Sequence, residues 1–103
     1  MIPDRSVDSR QVYVLLDPRP IKKVYVGVSV NPQRRYKQHL KDAHDTKKTC
    51  WFTELEMLGL KPLLKILEYN VGFFLAFDRE QHYIDTLESE GYEIMNEVRY
   101  TER

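Results

Sequence analysis

Short apolar segments along the chain predict three β-strands. Residues 11–17 and 22–29 are rich in Val, Tyr and Leu, which is typical of strands. Pro18 and Pro20 end the first of them, and so short a break between two strands predicts an antiparallel hairpin. Residues 62–69 hold three leucines, Ile66 and Tyr69, and predict a third strand.

Capping residues and a polar segment predict two helices between the hairpin and the third strand. Asn31 is a favourable N-cap, and the proline after it suits a first helical position, so a helix is expected over residues 32–42. Residues 43–48 are polar and predict a loop. A second helix is expected over residues 49–58, with Gly59 as its C-terminal cap. Its predicted inner side consists of Trp51, Phe52, Leu55 and Leu58.

A third helix is predicted over residues 73–89, and it carries an acidic residue on its apolar side. The apolar members of this side are Phe73, Phe77, Ile84 and Leu87. Glu80 occupies the position between Phe77 and Ile84. Burial of an unpaired carboxylate is costly, so Glu80 requires a cation, a hydrogen-bond network or an opening to solvent. The purely structural alternative is a salt bridge to an arginine or a place at the margin of the apolar side.

The order of these elements, β-β-α-α-β-α, predicts one small α+β domain with a three-stranded antiparallel sheet flanked by helices. A length of 103 residues suits a single domain. Residues 1–10 are expected to form a flexible arm, residues 11–97 the domain and residues 98–103 a tail.

The net charge of the chain is zero, with 16 Lys and Arg against 16 Asp and Glu. Taken as a whole, this balance argues against a polyanion as the ligand. The charges are nevertheless separated along the chain. Residues 31–48 hold six basic and two acidic residues, and residues 68–103 hold three basic and nine acidic ones. A solvated surface is the default interpretation of such runs.

The lack of a recognisable targeting segment and the cysteine usage predict a cytoplasmic protein, which would be nucleoid-associated or, in a eukaryote, nuclear. No apolar run approaches the ~20 residues that span a bilayer, and the first ten residues do not resemble a signal peptide. Cys50 is the single cysteine, so an internal disulfide and a cysteine zinc site are both excluded. We expect Cys50 to be a small buried hydrophobic residue.

Several polar residues of the hairpin and the first helix are candidates for a functional site. Tyr13 and Tyr25 occupy the middle of the paired strands, and Gly27 marks a close backbone approach two residues later. Arg35 lies one turn into the next helix, and His39 follows on the same side. Each residue has an ordinary structural explanation when it is considered alone.

Considered together, these residues resemble the GIY-YIG nucleases over about residues 11–97. The two name motifs of the family correspond to Gln11-Val12-Tyr13 and Tyr25-Val26-Gly27. Glycine is replaced by Gln11 at a backbone position, and Val28 stands where some members have a lysine. If that lysine helps deprotonation, His39 is the candidate to replace it. The remaining matched positions are the catalytic arginine Arg35, His39, the metal-binding Glu80 and the C-terminal Asn96.

The resemblance implies an endonuclease that hydrolyses DNA phosphodiester bonds with Mg²⁺ or Mn²⁺ held at Glu80. Arg35 would clamp a nonbridging phosphate oxygen. Tyr13 is the favoured general base and Tyr25 a positioning hydroxyl, although their roles can be exchanged. Asn96 would hold neighbouring groups in place.

The basic segment then becomes the expected edge for phosphate contacts. A single small domain is expected to nick DNA or to recognise DNA structure, with low sequence specificity unless a targeting partner or a fused DNA-binding domain assists it. Two other hypotheses stay open, a noncatalytic module that binds nucleic acid or a partner, and a structural α+β domain of a complex. The candidate DNA-binding residues are Lys22, Lys23, Arg34, Lys37, Lys41, Lys47 and Lys48.

Overall fold

The computed structural model describes residues 9–42 and 46–96. The tail predicted over residues 98–103 lies outside the described residues, as does all of the predicted arm except Ser9 and Arg10. The elements are β1 (Arg10–Leu16), β2 (Lys23–Ser29), α1 (Pro32–Lys41), α2 (Lys47–Met57), β3 (Leu63–Val71), α3 (Phe73–Ser89) and β4 (Glu93–Ile94).

The sheet has four strands in the order β3-β1-β2-β4 and is mixed. The predicted hairpin is present, because β1 pairs antiparallel with β2, and β3 pairs antiparallel with the other edge of β1. The α+β class is therefore confirmed, but the three-stranded antiparallel sheet is wrong. The additional strand β4 runs parallel to β2 and has only two residues, which is too short for a periodic sequence signal.

Both sides of the sheet are covered by helices, because successive side chains of a strand point in opposite directions. The valines of β1 and β2 form one core with Val71 and with Ala76 of α3. On the opposite side, Tyr13 and Leu15 pack against Trp51 and Leu55 of α2. The phenol of Tyr13 therefore lies on the side of the sheet that α2 covers.

Helix starts are set by side-chain caps. The N-cap of α1 is confirmed, since the Asn31 side chain accepts a hydrogen bond from the backbone N–H of Arg34 at 3.1 Å. The start of α2 differs from the prediction by two residues, because Thr46 and Thr49 form a reciprocal capping box. Threonine replaces the usual Glu or Gln of that motif, so the pattern does not stand out in the sequence. As a result, residues 47 and 48 are helical rather than part of a loop.

The apolar side of α3 also differs from the prediction, although the span of the helix is confirmed. Phe73 and Phe77 are exposed, and the buried residue of the first turns is Ala76. The helix packs on the valine side of the sheet through Ala76 and, further along, through Ile84 and Leu87. Both phenylalanine rings lie outside this contact.

Two expectations about α2 are also wrong. Cys50 is exposed, because the helix turns Trp51, Phe52 and Leu55 toward the core and leaves its neighbour outside. Leu58 is exposed because it follows the last residue of the helix as the C-cap. In the described part of the chain, no helix has the length and apolar character needed to cross a membrane.

A buried carboxylate joins the end of β1 to α2. The side chain of Asp17 accepts hydrogen bonds from Trp51 Nε1 at 2.8 Å and from Arg19 Nη2 at 2.7 Å. The Arg19 guanidinium is the main reason why the pKa of Asp17 falls to about 2, so this carboxyl is charged across the physiological range. This cluster holds α2 against the sheet on the side that carries Tyr13.

Candidate active site

Tyr13 and Gly27 lie opposite each other on the paired strands β1 and β2. The Tyr13 ring crosses the glycine so closely that a Cβ at Gly27 would lie 2.4 Å from Tyr13 Cζ and Oη. Tyr13 is only 1% exposed. Burial raises the pKa of its phenol, the neighbouring Tyr25 raises it further, and the Arg35 guanidinium opposes the shift.

A hydrogen-bonded chain of side chains leads from α2 to this phenol. The Nε2 atom of His39 lies 2.8 Å from Tyr13 Oη, and its Nδ1 atom lies 2.8 Å from Lys48 Nζ. Lys48 in turn donates to Asp42 Oδ2 at 3.1 Å. These hydrogen bonds therefore link Asp42, Lys48, His39 and Tyr13 in that order.

The chemistry of the donors determines the tautomer of His39. A lysine ammonium has only hydrogens to offer, so Lys48 donates and Nδ1 accepts. Burial, with the positive charges of Lys48 and Arg35, lowers the pKa of His39 to about 4. The imidazole is thus neutral at pH 7, its single proton is on Nε2, and it donates to Tyr13 Oη.

A cleft of about 150 Å³ lies beside this chain of side chains. It joins elements that are far apart in sequence, since β2, α2, α3 and the segment after β4 all contribute. Glu80 of α3 is half-buried there, so its carboxylate lies where the buried side of α3 opens to solvent. The lining residues are Tyr25, Asp42, Thr46, Lys48, Glu80, Met95 and Asn96. A wider cavity of about 450 Å³, which Lys23, Lys47 and Glu54 help to line, contains neither tyrosine nor Glu80.

Asn96 holds the backbone of β2 next to Tyr25. Its Oδ1 accepts from the N–H of Val26 at 3.0 Å, and its Nδ2 donates to the C=O of Val26 at 2.7 Å. The backbone N–H of Met95 also donates to Val24 O at 2.8 Å, so the side chain of Asn96 extends the pairing of β4 by one more step. The segment that carries Tyr25 and Gly27 is thereby fixed on both edges.

Arg35 lies on the exposed side of α1, and its Nη1 donates to Gln38 Oε1 at 2.9 Å. Its guanidinium is close enough to Tyr13 to lower the pKa of the phenol. An exposed guanidinium that acts on Tyr13 is suited to bind an anionic oxygen that enters from solvent.

The predicted DNA-binding residues divide into three groups. The four that are exposed along α1 and the start of α2 are Arg34, Lys37, Lys41 and Lys47. Lys22 directly precedes β2 and donates to the carbonyl of Glu90, and Lys23 is the first residue of the strand and lies 3.9 Å from Glu54. Lys48 points inward to His39 and Asp42 instead of standing on the surface. Its bond to His39 is the feature that sequence reasoning missed, because residues 43–48 carry the composition of a loop and predict no helix there.

The residues of the cleft suit a hard cation that keeps most of its water. In the ranges 9–42 and 46–96, no three His, Cys, Asp or Glu side chains are grouped so that they could hold a metal ion. The amide of Asn96 bonds to Val26, and Asp42 accepts from Lys48. Glu80 contributes a carboxylate to this cleft, and Mg²⁺ usually takes one or two carboxylates together with water and phosphate oxygens.

Comparison with known proteins gives one match. A family model described as the GIY-YIG catalytic domain matches residues 10–93, which is most of the chain. Both tyrosines, Arg35, His39 and Glu80 lie inside the matched range, and Asn96 lies just beyond it. Among curated proteins and among solved structures, the comparison finds no significant match.

Proposed function

The chain belongs to the GIY-YIG catalytic domain family, which implies nuclease-type activity, and on this basis we propose that it is a metal-dependent DNA endonuclease that hydrolyses phosphodiester bonds. One observation supports the proposal above the others. Tyr25, Glu80 and Lys48 line the same cleft, and Lys48 connects that cleft to the His39–Tyr13 hydrogen bond.

The burial of the two tyrosines favours an exchange of the roles first assigned to them. Tyr25 is half-buried and lines the cleft, whereas Tyr13 is almost wholly buried and accepts a hydrogen bond from His39. A general base must reach the attacking water directly or through one intervening water. Tyr25 therefore serves as the base, and Tyr13 positions the site from beneath.

The remaining polar groups act on the phosphate. Arg35 binds a nonbridging oxygen and neutralises the charge that develops on it, which is the part of phosphoryl chemistry that proteins supply by positioning. Glu80 would hold a Mg²⁺ ion, which would supply Lewis-acid stabilisation of the phosphate and of the leaving oxygen. Asn96 keeps the backbone beside Tyr25 in register while this occurs.

The exposed cations of α1 and the start of α2 bind the flanking phosphates. These few cations form a short DNA-binding footprint, and the chain is neutral overall. The affinity for DNA is therefore expected to be weak and to fall steeply as salt rises. Nicking or recognition of DNA structure, helped by a targeting partner, fits such a footprint better than recognition of a long sequence.

A plasmid-nicking assay tests the proposal. The purified chain is incubated with supercoiled plasmid in Mg²⁺, in Mn²⁺ and in EDTA, next to the variants Glu80→Gln and Arg35→Ala. We expect nicking with either metal, none in EDTA, and a loss of at least about 100-fold in each variant, because Arg35→Ala removes the cation that stabilises the transition state and Glu80→Gln removes the carboxylate that would hold the metal. Glu88→Gln, an exposed carboxylate of the same helix, is the matched control and should nick like the parent.

Two results would contradict the proposal. One is full activity in both variants, with thermal melting showing that they fold. The other is salt-sensitive DNA binding without cleavage in either metal, which would favour the noncatalytic binding module instead.

A further inference from the structure

The first two turns of α3 present aromatic rings to solvent. Phe74 is 90% exposed, Phe77 68% and Phe73 45%. The rings of Phe73 and Phe74 meet edge to face with centroids 5.4 Å apart. Exposed apolar groups of this size usually mark an interaction site. We call these three residues the aromatic surface.

The aromatic surface continues from the cleft along the same helix. Phe77 precedes Glu80 by three residues, so their Cβ atoms are about 5–6 Å apart on one flank of α3. Phe73 precedes Glu80 by seven residues, which places it about 10 Å further along the axis.

Groups that attract anions border the aromatic surface. The Arg10 guanidinium lies 4.8 Å from the centroid of the Phe73 ring. The N-cap of α3 is Gly72, with no side-chain capping bond and no acidic residue in the first turn. A Cβ at Gly72 would meet nothing within 4 Å, so this end of the helix is open. The flat rings can stack on the base of a nucleotide, and the cation and the open helix N-terminus can bind its phosphate.

We propose that the aromatic surface stacks on unpaired nucleobases of the DNA strand whose phosphate is cut at Glu80. The inference rests on the proposed endonuclease function and names its substrate class. Bases inside an intact duplex are stacked on one another and present no ring face to a protein, whereas single-stranded segments do. The preferred substrate is therefore DNA with a gap, a flap or a splayed branch next to the scissile bond.

A second copy of the chain is the competing occupant, and two features disfavour it. The three rings expose roughly 400 Å² in total, given the usual area of an aromatic side chain. A stable protein interface buries about 800 Å² on each partner. A two-fold dimer centred on these rings would also bring two Arg10 side chains and two helix N-termini toward each other, which is electrostatically unfavourable.

Tryptophan fluorescence can detect stacking directly. The chain has a single tryptophan, Trp51, which is buried. A Phe74→Trp variant adds an indole at the most exposed ring position without disturbing the core. Titration in EDTA with single-stranded DNA of about 12 nucleotides should quench the new indole emission, because stacked bases quench it, and the same length of blunt duplex should not. The parent protein, titrated in parallel, gives the signal of Trp51 alone.

Binding measurements separate stacking from other contacts. In EDTA, a Phe74→Ala/Phe77→Ala variant should bind single-stranded DNA at least about 5-fold more weakly, the lower end of the effect expected per stacked base. A Phe74→Leu/Phe77→Leu variant should lose as much, since leucine keeps the apolar character without the ring. Duplex affinity should stay within about 2-fold of the parent. Met57→Ala, an exposed apolar residue at the end of α2, is the control.

Several outcomes would overturn the inference. These are an equal loss of single-strand and duplex affinity, no loss at all, full affinity in the leucine variant, and a concentration-dependent dimer that the alanine variant abolishes. Cleavage of a gapped or flapped substrate at the same rate by parent and alanine variant would also overturn it and would leave the endonuclease function standing. Single-strand binding that depends on the rings, without cleavage of any substrate, would instead support the stacking and contradict the endonuclease function.

Discussion

The buried imidazole of His39 should make the stability of this protein depend on pH in the mildly acidic range. His39 is 3% exposed and neutral, with a pKa of about 4 in the folded state against 6.5 for an ordinary histidine. Between these two values the unfolded chain binds a proton that the folded chain does not. Stability therefore rises with pH across this window and falls when the solution is acidified.

The size of the effect follows from the two pKa values. From pH 7 to pH 5 the unfolded imidazole becomes almost fully protonated, while the folded one stays about nine-tenths neutral. The linkage relation converts this difference into a loss of about 2 kcal/mol in the free energy of unfolding. With the denaturant dependence of a small domain, the urea midpoint should fall by about 1 M.

Urea unfolding at the two pH values, followed by circular dichroism, measures this loss. His39→Gln removes the titrating group and should make the midpoint much less sensitive to pH, although the variant is less stable at pH 7. His82→Gln, which changes an exposed histidine of α3, is the matched control and should keep the parent's pH dependence. If His39→Gln lost as much stability between pH 7 and pH 5 as the parent, the burial of a neutral His39 would not be the cause.

Three further predictions concern the frame of the site. Gly27→Ala places a Cβ 2.4 Å from the end of the Tyr13 phenol, so the ring must shift by about 1 Å, and the nicking rate should fall by about 100-fold; an unchanged rate would refute this. Asn96→Asp removes the donor to the Val26 carbonyl and should lower the stability by about 1–3 kcal/mol in urea, unless the pairing of β4 contributes nothing. Asp17→Ala leaves the buried Trp51 N–H without its acceptor, which should cost about 2–4 kcal/mol; a melting temperature equal to the parent's would contradict it.

Local signals in the sequence were sufficient for most of the secondary structure. The N-cap at Asn31 and the span of α3 agree with the structure, as does the hairpin of β1 and β2. These features depend on residues within a few positions of each other, so their physical causes are visible in a short window of sequence. The capping box of Thr46 is the exception, since it has an unusual partner in Thr49.

The residues of the candidate site were selected by their order and spacing, but their roles depend on burial, which the sequence did not reveal. Tyr13 and Tyr25 look equivalent in the two strands, yet one is enclosed beneath α2 and the other lines the cleft. Lys48 looked like a surface cation, and it instead bonds to His39. Which side chain is covered depends on the packing of whole elements against the sheet.

By itself, then, the sequence determined the α+β class, the order of the first six elements and the residues that carry the family motifs, because strand composition, helix periodicity and caps are local properties. Only the tertiary structure decided that β4 joins the sheet, that Asn96 bonds to a strand 70 residues away and that Phe73 and Phe77 face solvent. These features arise from contacts between distant segments, and their free energies depend on how closely the surfaces of the elements meet. The helical periodicity of Phe77 predicted burial, but the sheet met α3 at Ala76 instead.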